Sequence, residues 1–275
     1  MSTDGEIHEH YARGEEQDRL LTPFGKVELA RTCEIVERHL PPAPAVVADV
    51  GGGPGRYSLW LAERGYTVHH RDLVALHLEQ LAAAAADRGL TVDSAIADAR
   101  RLDLPDASVD AVLLLGPIYH LPTRDDRVAA LAEAARIVRP GGPVFAAAIS
   151  RWAPRLHGEV ADRLAEVHPS IREAVDIVER TGRLVPLFEG SFSGYCHRPE
   201  ELRDEVMAAG LELVDLVGVE GIAFALADLE ERLASPEARA VVLDAARALE
   251  RVPELLGLSP HLLATARRHP RFVLG

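Results

Sequence analysis

Asp49-Val50-Gly51-Gly52-Gly53-Pro54-Gly55 is the stretch whose residue types and spacing could do chemistry. It closes the apolar run 45–50 and opens a helical pattern carried by Tyr57, Trp60, Leu61 and Arg64 until Gly65 ends it. That order reads as strand, glycine turn and helix. Bare backbone lets a ligand lie against the main chain, and the first N–H groups of the helix point to the same place. An adenosine-type cofactor carrying a carboxylate or phosphate fits such a turn. Asp72, at the end of the run 66–72, stands where doubly wound nucleotide sites put a carboxylate on ribose hydroxyls, a task suited to a group that accepts two hydrogen bonds at once. It could equally be the N-cap of a helix over 75–88.

The register of the loop narrows the cofactor. A dinucleotide fingerprint begun at Gly51 needs glycine at position 56, where Arg56 stands, and a phosphate loop of the G-x-x-x-x-G-K-[ST] kind fails because the single lysine is Lys26. An acid followed by G-x-G-x-G resembles motif I of the class I S-adenosylmethionine-dependent methyltransferases. The stretch from Asp103 to Leu121 resembles the family's motif IV region, and a helix followed by Arg139-Pro140-Gly141-Gly142 and an apolar strand is the family's order. The resemblance is strongest over 45–150. Ahead of it, Tyr11, Gly14, Glu15, Arg19, Leu20, Glu28, Arg31 and Thr32 resemble the leading segment of a bacterial small-molecule branch.

The resemblance implies roles. Asp49, Gly51, Gly52 and Gly53 would form the cofactor loop, with Asp72 and Leu73 at the ribose. Asp98 would receive the adenine amino group and the Ala99 N–H a ring nitrogen, and Leu115 and Gly116 would complete the set. Tyr11 and Arg31, on helices covering the cofactor, would meet its methionyl carboxylate. The plainer alternatives are that Tyr11 and Arg31 pack on the core and that Asp98 is a solvated loop acid beside Arg100 and Arg101.

Methyl transfer from a sulfonium is an in-line displacement with a neutral leaving group, so positioning can supply on the order of 7 to 11 kcal/mol. A hydroxyl acceptor must also lose a proton, and His is the side chain matched to neutral pH. His120, following the fourth strand, is the candidate base, with Tyr119 beside it to orient the acceptor; the alternative is that His120 only packs or bonds a carbonyl. His197 and His261 stand at strand ends with no motif to aim them inward, and His69 and His70 adjoin within a strand and face opposite sides. No N-P-P-[YF] follows the fourth strand and no paired-acid magnesium site is recognisable. The acceptor expected is a hydroxyl or amine on a small molecule, a secondary metabolite being one candidate, with no metal.

Composition bounds the rest. The chain has 275 residues, 48% hydrophobic and 27% charged, as in a globular protein. A net charge of −13 argues against nucleic-acid partners, which need Lys and Arg against phosphate. The start lacks the basic and apolar parts of a signal peptide, no apolar run has membrane-spanning length, and Cys33 and Cys196 read as reduced thiols. A cytoplasmic protein is expected, without membrane contact; a homodimer is compatible.

Strands read over 45–50, 66–72, 91–97, 109–115, 143–149, 211–219 and 261–268 alternate with helices. The fold class expected is α/β: a doubly wound, mainly parallel seven-strand sheet with helices on both faces. Residues 1–44 would cover the cofactor, 45–150 bind it, 151–191 form an inserted helical lid, and 192–275 complete the sheet with a helical insertion. Two other functions stay in view. An NAD-dependent reductase is disfavoured by Arg56 and by the lack of a Tyr-x-x-x-Lys pair; the other is a non-catalytic cofactor-binding regulator.

Overall fold

A computed structural model describes residues 3–14, 16–186 and 192–269. Helices α1 (Thr3–Tyr11), α2 (Glu16–Arg19) and α3 (Pro23–Glu37) lead in. Thr22 caps α3, its hydroxyl accepting the Gly25 N–H at 3.1 Å, and Pro23 presets the first turn. Then come β1 (Val46–Val50), α4 (Arg56–Ala62), β2 (Thr67–Asp72), α5 (Ala75–Asp87), β3 (Asp93–Ile96), β4 (Ala111–Leu114), α6 (Arg124–Ile137) and β5 (Pro143–Ser150). Thr123 starts α6 as its spacing to Asp126 predicts, accepting the Asp126 N–H at 3.2 Å. A π-helical segment (Pro154–Ala161), α7 (Leu164–Val167), α8 (Ile171–Thr181) and β6 (Arg183–Leu184) follow. The remainder is β7 (Gly194–His197), α9 (Pro199–Ala208), β8 (Leu211–Gly218), α10 (Leu229–Ala234), α11 (Pro236–Leu249) and β9 (His261–Arg268).

The first five strands are parallel in the order β3-β2-β1-β4-β5. On the free flank of β5 lies β9, antiparallel from Pro143↔Arg267 to Ile149↔His261, and β8 pairs antiparallel with β9. Those are the seven strands expected. Two more were not. β7 pairs with the last residues of β5, Ile149↔Cys196 and Ser150↔His197, and β6 pairs with β7. The insertion is therefore part strand; the last of it, 187–191, and Glu15 lie outside the described residues.

Both faces of the sheet are covered, which is why the central strand β4, Ala-Val-Leu-Leu, is apolar throughout. Along β4, Ala111 and Leu113 pack toward Ile35 and Val36 of α3 and Leu61 of α4, while Val112 and Leu114 pack toward Leu131 of α6 and Leu202 of α9. Among the described residues no helix is long and apolar enough to cross a membrane. α11 ends at Leu249. Pro253 cannot continue α11, and a 3-10 turn, Pro253–Leu258, leads into β9 instead.

Candidate functional site

The carboxyl ends of β1 to β4, where parallel sheets bind ligands, surround a cavity of about 250 Å³. Gly51, Gly52 and Gly53 follow β1 into its wall, Asp72 and Leu73 follow β2, and Asp98 and Ala99 follow β3. Leu115, Gly116, Tyr119 and His120 come from beyond β4, and Tyr11 closes over them from α1. Two expected site residues, Asp49 and Arg31, are not in the lining.

Gly51 and Gly53 have φ of 65° and 56°, the left-handed region that side chains resist. A Cβ on Gly53 would meet nothing nearer than Glu16 Cγ at 3.8 Å, so this part of the loop offers bare main chain to the cavity. Asp49 lies beneath it. Its carboxylate is fully buried, accepts the Ser58 hydroxyl at 2.7 Å, and would stand 2.5 Å from a Cβ on Gly52. Burial pushes its pKa up against the pull of His70 and Ser58. Asp49 thus braces the loop and does not reach the ligand space, because the first residue to turn outward is Gly51. His70, its Nε2 2.9 Å from the Gly53 carbonyl, braces the loop too. Alternation along β2 gave the direction of His70 but no partner for it.

Asp72 lines the cavity but is not the N-cap of α5, which is Val74; it braces the turn between β2 and that helix. One carboxylate oxygen accepts the Gly53 N–H at 2.8 Å, and the other accepts the Val74 N–H at 2.9 Å and meets His77 Nδ1 at 3.0 Å. Burial would raise its pKa, but His77 and the two amides together hold it below the usual carboxylate range. Of about four lone-pair sites three are filled, which leaves one for a hydroxyl unless His77 yields. His77 also lines the cavity and had no sequence signal beyond standing one helical turn into α5. Asp98 is clamped by Arg100, whose Nη2 lies at 2.6 Å and whose backbone N–H donates at 2.8 Å; these bonds outweigh burial and hold its pKa down. It is a paired acid that still faces the cavity.

Arg31 is corrected more sharply. It is fully buried on the far side of α3, where its guanidinium donates to the Val219 carbonyl at 3.3 Å and pairs with Glu34 and Glu250. It ties α3 to the turn after β8 and to the end of α11. Of the arginines ahead of the sheet, Arg19, on α2, lines the cavity, with Nε 2.8 Å from Glu16 and Nη1 2.6 Å from Glu28. Arg19 stood in the leading segment without an assigned role; which of two arginines faces the sheet's end depends on how α2 and α3 pack.

A 3-10 turn, Pro117–His120, delivers Tyr119 and His120. His120 Nε2 is 2.7 Å from the Tyr11 hydroxyl, and its ring stacks 4.4 Å from that of Phe192. Its buried Nδ1 makes no hydrogen bond among the described residues. Burial, aided by His10, pushes its pKa down to about 3, so the imidazole is neutral. Burial raises the Tyr119 hydroxyl, which stays protonated and able to donate. The described part of 151–186 contributes nothing to this lining. What stands over the cavity is the segment before the sheet.

Residues 47–142 match the family profile described as a methyltransferase domain. The chain is 29% identical over 209 residues to a ubiquinone biosynthesis O-methyltransferase of Agrobacterium fabrum, an alignment covering 73% of this chain and 76% of that one. It is 32% identical over 125 residues to the methyltransferase GfsG of Streptomyces halstedii, but covers only 44% of that protein's length. A solved S-adenosylmethionine-dependent methyltransferase from Methanosarcina mazei superposes with a TM-score of 0.60 at 16% identity over 86% of this chain and 97% of its own, a likeness of fold. Residues 47–142 are thus a methyltransferase domain, carried on a fold similar to that of S-adenosylmethionine-dependent methyltransferases.

Proposed function

We propose that this enzyme methylates a hydroxyl or an amine on a small molecule, by in-line transfer. The observation that carries the reading is the meeting of open Gly53 backbone, Asp72 and Asp98 on one cavity whose outer wall is Tyr11, Tyr119 and His120. The glycine main chain and Arg19 would hold the amino-acid end of the cofactor, Asp72 a ribose hydroxyl, and Asp98 with the Ala99 N–H the adenine. When bound, the cofactor supplies a methyl group on a positive sulfur, with a neutral thioether to leave. The segment 1–44 would close over it, so α1 must move to admit it. The relative named for O-methylation supports a hydroxyl acceptor, and the net charge of −13 supports a small molecule over nucleic acid.

His120 is poorly matched to the task of base. An acid–base group works best when its pKa lies near the working pH, and this one sits at about 3 with Nε2 held by Tyr11. Positioning then supplies most of the rate, which suits an acceptor that needs little help to lose its proton. Calorimetric titration with S-adenosylhomocysteine and with NADH, followed by a turnover screen of hydroxyl and amine acceptors, tests the reading. Binding of NADH in preference to S-adenosylhomocysteine would overturn it.

A further inference from the structure

A second cavity of about 700 Å³ shares one wall residue, Arg19, with the first. That is the size range of small-molecule sites, about 300 to 1,000 Å³. It gathers Phe24 and Glu28 from α3, His157 from the π-helical segment, Phe224 from a 3-10 turn after β8, Glu230 from α10 and His261 from the start of β9. The His157 ring lies 4.4 Å from Phe24 and 5.9 Å from Phe224, so three rings face this space together. π-Helical segments recur at functional sites, and this one ends beside Arg163, a non-glycine residue at φ 56°.

The charges sort into two groups. Both cations in the lining are already matched: Arg19 pairs with Glu16 and Glu28, and His261 Nδ1 lies 2.5 Å from Glu220 with Glu28 at 3.9 Å. Glu220 is fixed in turn by the Ser259 hydroxyl at 2.8 Å and the His261 N–H at 3.1 Å. Glu28, Glu220 and His261 bring donor atoms within 4.8 Å of one another, as an ion site would, but Arg19, Ser259 and the imidazole already engage them. The exposed rim carries two more carboxylates, Glu230 and Asp162, the latter 3.8 Å from His157 Nε2. Aromatic walls under an acidic rim suit a cation, whose charge is attracted to ring faces. An anion would find no cation there that is not already paired.

We propose that the second cavity seats the methyl acceptor, and that the acceptor is an amine on an apolar or aromatic body: it docks as an ammonium ion, releases a proton to water at the exposed rim, and the lone pair so freed takes the methyl group as the neutral thioether leaves. This rests on the methyl-transfer reading and narrows it. An amine also accords with the first cavity, where Tyr11 occupies Nε2 of His120.

The test uses the full chain with S-adenosylhomocysteine present and ligand-observed NMR of two matched probes, phenethylammonium and phenylacetate. The amine binds about tenfold more tightly than the carboxylate. Phe224→Ala weakens the amine about fivefold, and Asp162→Asn with Glu230→Gln, both on the exposed rim, narrows the gap between the probes, while affinity for S-adenosylhomocysteine stays within about twofold. Methyl incorporation across paired primary amines and alcohols appears with the amines and falls in Phe224→Ala. Equal or tighter binding of phenylacetate, amine binding indifferent to these substitutions, or turnover of alcohols alone overturns the proposal. Failure to bind S-adenosylhomocysteine would instead sink the underlying reading, so the two failures are distinct.

Discussion

The hydroxyl of Tyr11 lies 2.7 Å from Nε2 of His120, joining the helix that precedes the sheet to the turn that follows β4. The contact closes the cavity, and burial keeps the imidazole neutral. His120 stays neutral in the folded protein down to about pH 3, against an ordinary value of 6.5. Below 6.5 the unfolded chain therefore takes up a proton that the native state refuses. Stability is full above that pH and falls toward pH 3, with a slope of at most about 1.4 kcal/mol per unit. Urea titrations between pH 7 and 4 should show this slope in the wild type and a shallower one in His120→Phe.

His261 predicts the opposite sign. Burial works against its charge, but Glu220 and Glu28 raise its pKa to about 9. Its contribution is complete below pH 6.5 and is lost as pH rises through 9. His261→Gln should remove that alkaline loss, which melting curves between pH 6 and 10 can read. An unchanged alkaline profile would mean that the proton is not shared as the geometry indicates.

Turnover separates the roles left to His120. For an amine acceptor, His120→Ala should keep activity within about tenfold of the wild type, because the ammonium proton leaves to water and not to the imidazole. For a hydroxyl acceptor that depends on His120, the loss should be about two to four decades. Cofactor affinity measured on the same variant tells whether the ring instead shapes the cofactor space.

Gly53→Val places a branched side chain at φ 56° and on the open face of the loop. S-adenosylhomocysteine should raise the melting temperature of the wild type and leave that of the variant unchanged, since a ligand stabilises only the state that binds it. NAD should shift neither. An undiminished shift in the variant would place the cofactor elsewhere.

Arg127 is almost fully buried between α6 and α9, with Nη2 2.6 Å from Glu205, and its guanidinium lies 3.7 Å from the centroid of the Tyr195 ring. His197 Nε2 meets the same carboxylate at 3.0 Å. Arg127→Met should cost about 3 to 5 kcal/mol by leaving Glu205 without its main partner, and adding Glu205→Gln should recover part of the loss. Chemical denaturation of the single and double variants measures both.

The parts of this site that were legible in the sequence are those built by local order. A strand that ends in glycine or aspartate and gives way to a helical pattern announces where its carboxyl end lies, so Gly51 to Gly53, Asp72, Asp98 and Gly116 could be placed before their neighbours were known. Arg31 could not be placed this way. Arg19 and Arg31 stand on neighbouring helices with similar flanks, and only the packing of α3 against β8 turns one inward and buries the other. Asp49 was assigned to the ligand because it adjoins the loop, whereas alternation along β1 sends its side chain under the loop. β6 has two residues and β7 four, too short for periodicity to register, and what makes them strands is the exposed end of β5. His261 looked idle because its partners, Glu220 and Glu28, are distant in sequence and meet it only once β9 is in place.

The position of β9 bears on how the chain reaches this state. β5 comes early in the sequence, yet one flank stays open until residues 261–268 arrive to fill it, and among the described residues β8 pairs with β9 alone. During synthesis the ribosome must therefore release nearly all of the described chain before the sheet can close. Until then β5 and β8 present unpaired edges, the kind of surface through which nascent chains associate with one another. A chain shortened before His261 should still collapse around β1 to β4, but it would keep both edges and be prone to aggregate, so recovery of soluble protein would depend more on the last strand than on any residue of the cofactor cavity.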